Sequence, residues 1–290
     1  MANSASAGPR NPSGLWNPQL IETSKDRPKA ANLSKASPLF RAERLFKSFG
    51  GVHAVRDISL TIPPGIVFAV IGPNGAGKST LLNLMSGVYQ PDAGTMSFAG
   101  IELVGMSAQK RVSHGLARTF QKIRLFKQLT VLQNVLAGYH TRHAIPVWQY
   151  LMHGPAFRAD ARRCCDDAIG LLDFVGLKHR AEIKAGALAY GEQRLLEIAR
   201  ALATGPRLLM IDEPAAGLNA TEVSALLGRI AILRQRGMTI ILVEHNMELV
   251  MSIADRVFVM DYGQYLFEGT PHEVQAHPEV ITAYLGAEVT

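Results

Sequence analysis

Between a strand-like apolar run, Ile66–Ile71, and a helix-like stretch, Ser79–Met85, lies the octapeptide Gly72-Pro-Asn-Gly-Ala-Gly-Lys-Ser79. It fits G-x-x-x-x-G-K-[ST] without a mismatch. A continuous, β-branched apolar run of six residues suits a strand covered on both faces, which is the environment of a parallel sheet. The loop Gly72, Asn74, Gly75, Ala76 and Gly77 can curl so that successive N–H groups point at anionic oxygens. A helix opening near Lys78 adds its positive dipole end to that nest. Lys78 supplies a cation for phosphates, Ser79 a hydroxyl for Mg²⁺, and Thr80 a further phosphate hydrogen bond. The expectation is an α/β fold of the P-loop type that holds a nucleotide.

A second strand, Leu208–Ile211, runs into Asp212-Glu213-Pro214. Its carboxyl end is where open α/β sheets bind ligands. Asp212 is placed to hold Mg²⁺ through water, and Glu213 to orient or deprotonate an attacking water.

The rest of the chain fits this frame. Ile58–Ile62 alternates at strand period, and Pro63-Pro-Gly65 turns the chain. Residues 128–203 read mainly as helix, including Ala159–Val175 and Glu192–Ala203. A strand at Thr239–Val243 follows an amphipathic helix, Thr221–Arg236. Val257–Met260 and Tyr265–Glu268 read as a hairpin. Residues 1–37, rich in Pro, Ser and Asn and without apolar periodicity, read as a disordered tail before a domain spanning 38–290.

The net charge of +6 invites a nucleic-acid reading, but half of it, five basic against two acidic residues, sits in the first 40 residues. A second basic stretch, Lys110, Arg111, Arg118, Lys122, Arg124 and Lys127, contains no acid; it suits either a solvated face or a partner-facing surface. Nucleic acid is not expected as a partner. No apolar run approaches the roughly 18–20 residues that span a bilayer. Adjacent Cys164 and Cys165 provide neither a disulfide framework nor a metal set.

The string Leu188-Ala-Tyr-Gly-Glu-Gln-Arg-Leu-Leu-Glu-Ile-Ala-Arg200-Ala-Leu202 resembles the signature motif and following helix of the ABC ATPases. Gln121, in Arg118-Thr-Phe-Gln, resembles their Q-loop glutamine. His245, in Val243-Glu-His, resembles the switch histidine, and Phe49 the aromatic that stacks on adenine. Ala216-Gly-Leu-Asn219 stands where the D-loop belongs. The resemblance implies a helical subdomain inserted in the core, an antiparallel β-subdomain on the N-terminal side, and ATP with Mg²⁺ as ligands. It makes Ser79, Gln121 and Asp212 the metal-side residues and Glu213, His245 and Gln121 the catalytic ones. The signature Ala189, Tyr190, Gly191 and Glu192 would act in trans on the ATP of a second subunit. That subunit would be a paralogue or another copy of this chain.

Gly115-Leu-Ala-Arg-Thr-Phe-Gln, Leu129-Thr-Val-Leu-Gln-Asn-Val135 and Ile281-Thr-Ala-Tyr-Leu-Gly286 are similar to the ATP-binding subunits of branched-chain amino acid importers, specifically the longer of two paralogues. Residues 141–163 fill its additional helical stretch. Importers of urea or short amides use similar subunits, and soluble ABC ATPases of translation or DNA repair form another class. The importer resemblance implies two transmembrane permease subunits met through Lys122–Leu132, an extracytoplasmic substrate-binding protein met indirectly, and a peripheral position on the cytoplasmic face of the inner membrane. Where the family usually has Leu-Ser-Gly-Gly-Gln, this chain has Leu188-Ala-Tyr-Gly-Glu192, and Asn219 replaces the D-loop aspartate.

Overall fold

The computed structural model describes residues 37–139 and 155–287. The expected tail therefore lies outside the described residues apart from Ser37, as does most of 141–163. Two sheets organise the rest. The first is antiparallel, in the order β2-β1-β4-β5, from β1 (Phe40–Phe49), β2 (Val52–Ile62), β4 (Ala93–Phe98) and β5 (Ile101–Glu102). Its register pairs Phe40 with Ile62 and with Phe98, which aligns their buried side chains on one face.

The second sheet runs β10-β9-β3-β8-β7-β6. Its strands are β3 (Val67–Ile71), β6 (Leu116–Arg118), β7 (Leu208–Asp212), β8 (Thr239–Val243), β9 (Arg256–Asp261) and β10 (Gln264–Gly269). Neighbours are parallel from β9 to β6, and β10 closes one edge as the antiparallel arm of the expected hairpin. Every residue of β3, β7 and β8 is buried, as strands covered on both faces require.

Helices flank this sheet. α1 (Lys78–Ser86) follows β3, α2 (Ala108–Ser113) precedes β6, α6 (Ala220–Gln235) joins β7 to β8, and α7 (Met247–Ile253) follows β8. The inserted helical block holds α3 (Val131–Tyr139), α4 (Pro155–Val175) and α5 (Tyr190–Ala203), which pack on one another. At the C-terminal end, α8 (Pro271–Ala276) and α9 (Pro278–Ala287) cover the β9 side, where Val274, Val280 and Tyr284 join Ala69, Ile71, Val257 and Val259 in one apolar cluster. Among the described residues no helix is long and apolar enough to cross a membrane. Because β3, β6, β7 and β8 are parallel, the segments after them leave the sheet at the same edge. That places residues 72–80, 119–121, 212–213 and 244–245 in one region.

Candidate nucleotide site

The loop after β3 is shaped by steric necessity. Gly72 has φ 152°, and a Cβ there would stand 2.1 Å from the Met260 carbonyl oxygen of β9. Gly77 has φ 93°, and a Cβ would stand 2.3 Å from the Ala54 carbonyl oxygen of β2. Only glycine lets the backbone pass between these strands. Gly77 also caps α1 without any side-chain hydrogen bond, so the first N–H groups of the helix keep their capacity for an anion. Asn74, Gly75 and Ser79 are exposed, while Ala76 is buried beneath them. Lys78 spans the loop, donating from Nζ to the carbonyls of Gly72 at 2.6 Å and Pro73 at 2.9 Å. Burial lowers its pKa, and the negative field of Glu213 and Asp212 opposes that shift.

Asp212 ends β7, and Glu213 follows it in the left-handed region with φ 45°. Such a conformation costs a non-glycine residue of order 1–3 kcal/mol. It is held by the Glu213 N–H donating to Val243 O at the end of β8, 2.9 Å. The Gln121 amide nitrogen donates to Glu213 Oε2 at 2.8 Å, so the residues after β6 and β7 meet directly. Burial raises the pKa of Asp212, while the Arg118 guanidinium pulls it back down. Arg118 Nη2 donates to Asp212 Oδ2 at 2.9 Å in a pair whose side chains are 7% and 3% exposed. Asp212 Oδ1 is buried without a hydrogen-bond partner.

Those donors fit Mg²⁺, a hard cation that takes one or two carboxylates and leaves its other positions to water and substrate phosphates. An orphaned carboxylate oxygen, an exposed serine hydroxyl at a helix start and the amide oxygen of Gln121 supply such a set. No cluster of three or more His, Cys, Asp or Glu side chains capable of holding a metal occurs among the described residues.

His245 lies two residues beyond the end of β8, its side chain 61% exposed, with Nδ1 3.9 Å from Glu244 Oε2. Phe49 ends β1, is 41% exposed, and meets Tyr89 edge-to-face at 5.1 Å between ring centroids. The Lys47 ammonium lies 5.4 Å from its ring centroid. The signature residues form the start of α5. Ala189 is its N-cap, and its N–H is taken back by Glu192 Oε2 at 3.1 Å. Glu192 also accepts from Arg180 Nε at 3.2 Å. A Cβ on Gly191 would stand 2.6 Å from Glu222 Oε1, so the signature packs closely on the start of α6. Among the described residues no hydrogen bond or ion pair joins Ala189–Glu192 to residues 72–80.

Several functional neighbours escaped sequence reasoning. Arg194 is fully buried and donates to Phe120 O (2.8 Å), Gln121 O (3.0 Å) and Tyr190 Oη (3.2 Å), joining the signature end of α5 to the Gln121 segment. Glu244 is buried and accepts the Ala215 N–H at 3.0 Å. Asn219 caps α6, accepting from Glu222 N (3.0 Å) while Glu222 accepts from Asn219 N (2.9 Å). That reciprocal box was readable from Asn219-Ala-Thr-Glu222. The basic stretch needs correction at two positions. Arg111 is fully buried and donates to the Leu84 and Met85 carbonyls, satisfying the C-terminal end of α1, and to the Leu103 carbonyl just after β5. Arg118 is occupied by Asp212, with its side chain 7% exposed, so both guanidinium groups are engaged inside the fold rather than solvated.

Comparison with known proteins places the chain in a family. Residues 55–216 match the family model described as ABC transporter, and residues 266–290 match one described as branched-chain amino acid ATP-binding cassette transporter. The chain is 43% identical over 252 residues to the high-affinity branched-chain amino acid transport ATP-binding protein LivG of Salmonella typhimurium, covering 87% of this chain and 99% of that protein. It is also 43% identical over 250 residues to BraF of Pseudomonas aeruginosa, a protein of the same description, covering 86% and 98%. Among solved structures, the ADP conformation of MJ1267, an ATP-binding cassette of an ABC transporter, superposes with a TM-score of 0.75 at 30% identity, covering 87% of this chain and 100% of that one. A matching family model, near full-length relatives and a shared cassette fold converge on one assignment: the chain belongs to the ABC transporter family, among its ATP-hydrolysing cassettes.

Proposed function

We propose that this chain is the ATPase subunit of an importer for branched-chain amino acids. The observation that carries the reading is the extent of the likeness: 99% of the LivG chain is covered, and residues 266–290 match a model described as branched-chain amino acid ATP-binding cassette transporter. In this reading the loop N–H groups and Lys78 hold the ATP phosphates, Thr80 adds a hydrogen bond, and the Phe49 ring stacks on adenine. Ser79, Gln121 and Asp212 would hold Mg²⁺, which when bound would offset the negative charge of the phosphates. Gln121 orients the Glu213 carboxylate, which accepts a proton from the attacking water. His245 supplies a donor at the γ-phosphate. The signature residues Ala189–Glu192 complete the ATP site of a second ABC subunit, a paralogue or another copy of this chain.

The same reading assigns two transmembrane permease subunits as partners, an extracytoplasmic binding protein as an indirect one, and a peripheral place on the cytoplasmic face of the membrane. A cavity of about 540 Å³ between the segment after Gln121 and helices α3 and α5 supports a permease contact there. Phe126 and Leu129 stand exposed on that segment.

Uptake of labelled leucine in cells deleted for this gene tests the proposal. Leucine uptake should be lost, restored by the wild-type chain, and not restored by Lys78→Ala. Normal leucine uptake alongside lost urea or short-amide uptake would transfer the cargo to that class.

A further inference from the structure

We infer that Arg118 is a positioning residue that sets the separation between the two elements carrying the metal ligands. The inference rests on the reading that Ser79 and Asp212 hold Mg²⁺. Arg118 is the last residue of β6, paired in register with Met210 of β7, two residues before Asp212. Its side chain is 7% exposed, and its guanidinium forks between two elements. One arm, Nη2, holds Asp212 Oδ2 at 2.9 Å. The other, Nη1, donates to Asn83 Oδ1 at 2.6 Å and Ser86 Oγ at 3.0 Å, both on α1. Phe120 lies beside the guanidinium, 5.2 Å from its ring centroid.

Asn83 is one helical turn beyond Ser79 on α1. One rigid side chain therefore clamps the helix that presents the serine hydroxyl to the strand end that presents the carboxylate. By engaging Oδ2 it also leaves Oδ1 as the unpartnered oxygen. A buried carboxylate oxygen left without a donor is costly, so this one is poised for a water or ion. A lysine would retain the charge but could not grip both elements in a fixed plane.

The test uses the full chain with a non-hydrolysable ATP analogue and Mn²⁺ as the probe, read by electron paramagnetic resonance of the protein-bound ion. Arg118→Lys and Asn83→Ala should bind the analogue in EDTA as the wild type does, since the phosphate loop is intact. Their Mn²⁺ affinity should fall by about 10–100-fold, the usual effect of removing a partner behind a metal ligand. Asn83→Ala leaves the Arg118–Asp212 pair in place, so it reports on the clamp even if changes at Arg118 disturb folding. Unchanged Mn²⁺ affinity in both variants, with Asp212→Ala weakening it, would overturn the role of Arg118. Unchanged affinity in Asp212→Ala as well would overturn the metal assignment beneath it. A general loss of structure would instead lower metal-free analogue binding in parallel, and that result would also count against a positioning role.

Discussion

Burial changes what a charged residue does. Lys122 and Arg124 are exposed on the chain segment that also contains Arg111 and Arg118, whose guanidinium groups are enclosed and matched to carbonyls or a carboxylate. Glu244 is enclosed too, and burial lifts its pKa above the usual carboxylate range, against backbone N–H donors from Ala215 and His245 that lower it. The sign of the consequence follows. Just above the ordinary carboxylate pKa, the folded state keeps a proton that the unfolded chain has released. The contribution of this group to stability is complete below that pKa and is lost as pH rises through the raised value. Glu244→Gln stays neutral throughout, so the melting temperature of this variant relative to wild type should climb as pH goes from about 4 to 7. A difference that stays flat with pH in differential scanning calorimetry would contradict the burial argument.

At the level of elements, α5 carries two tasks on one helix. Its first turn presents the signature, and one turn later Arg194 reaches across to the backbone of the Gln121 segment. The cost is a fully buried ion pair, Arg194 with Glu197 at 3.3 Å. Breaking such a pair from one side leaves an uncompensated interior charge, typically a loss of about 3–5 kcal/mol, whereas replacing both partners by apolar groups is often near neutral. Arg194→Met should therefore show a loss of that size in urea unfolding at neutral pH, and Arg194→Met with Glu197→Leu should recover most of it. The double variant should still hydrolyse ATP poorly, because Gln121 loses its backbone anchor. If the double variant is no more stable than Arg194→Met, the pair is not what the helix depends on.

Across the whole molecule, the parallel sheet gathers Lys78, Gln121, Asp212 and Glu213 at one edge, while the signature packs on the start of α6. In the proposed in-trans arrangement the signature serves the ATP of a second subunit, which makes one chain an incomplete catalyst. The purified chain should bind ATP when dilute yet hydrolyse it slowly, with specific activity rising with protein concentration or on adding the partner subunits. Full specific activity in a sample shown to be monomeric by sedimentation would remove the second subunit from the catalytic site.

Strand and loop identities were legible because they depend on local chemistry. Continuous apolar runs match β3, β7 and β8 within a residue, since a strand buried on both faces is apolar along its length, with the hydrogen-bonded Asp212 and Thr239 as polar ends. The phosphate loop was legible because its glycines meet backbone constraints that no other residue satisfies. The partners of ionised side chains were not, since they come from segments far away along the chain. Arg118 and Asp212 are 94 residues apart, and Arg111 lies 26 and 27 residues from the helix carbonyls it satisfies. Periodicity carries no record of such pairings. A basic residue on a polar stretch reads the same whether solvent or a buried acceptor awaits it, and only the packing of β6 against β7 and α1 decided that Arg118 would stand behind Asp212.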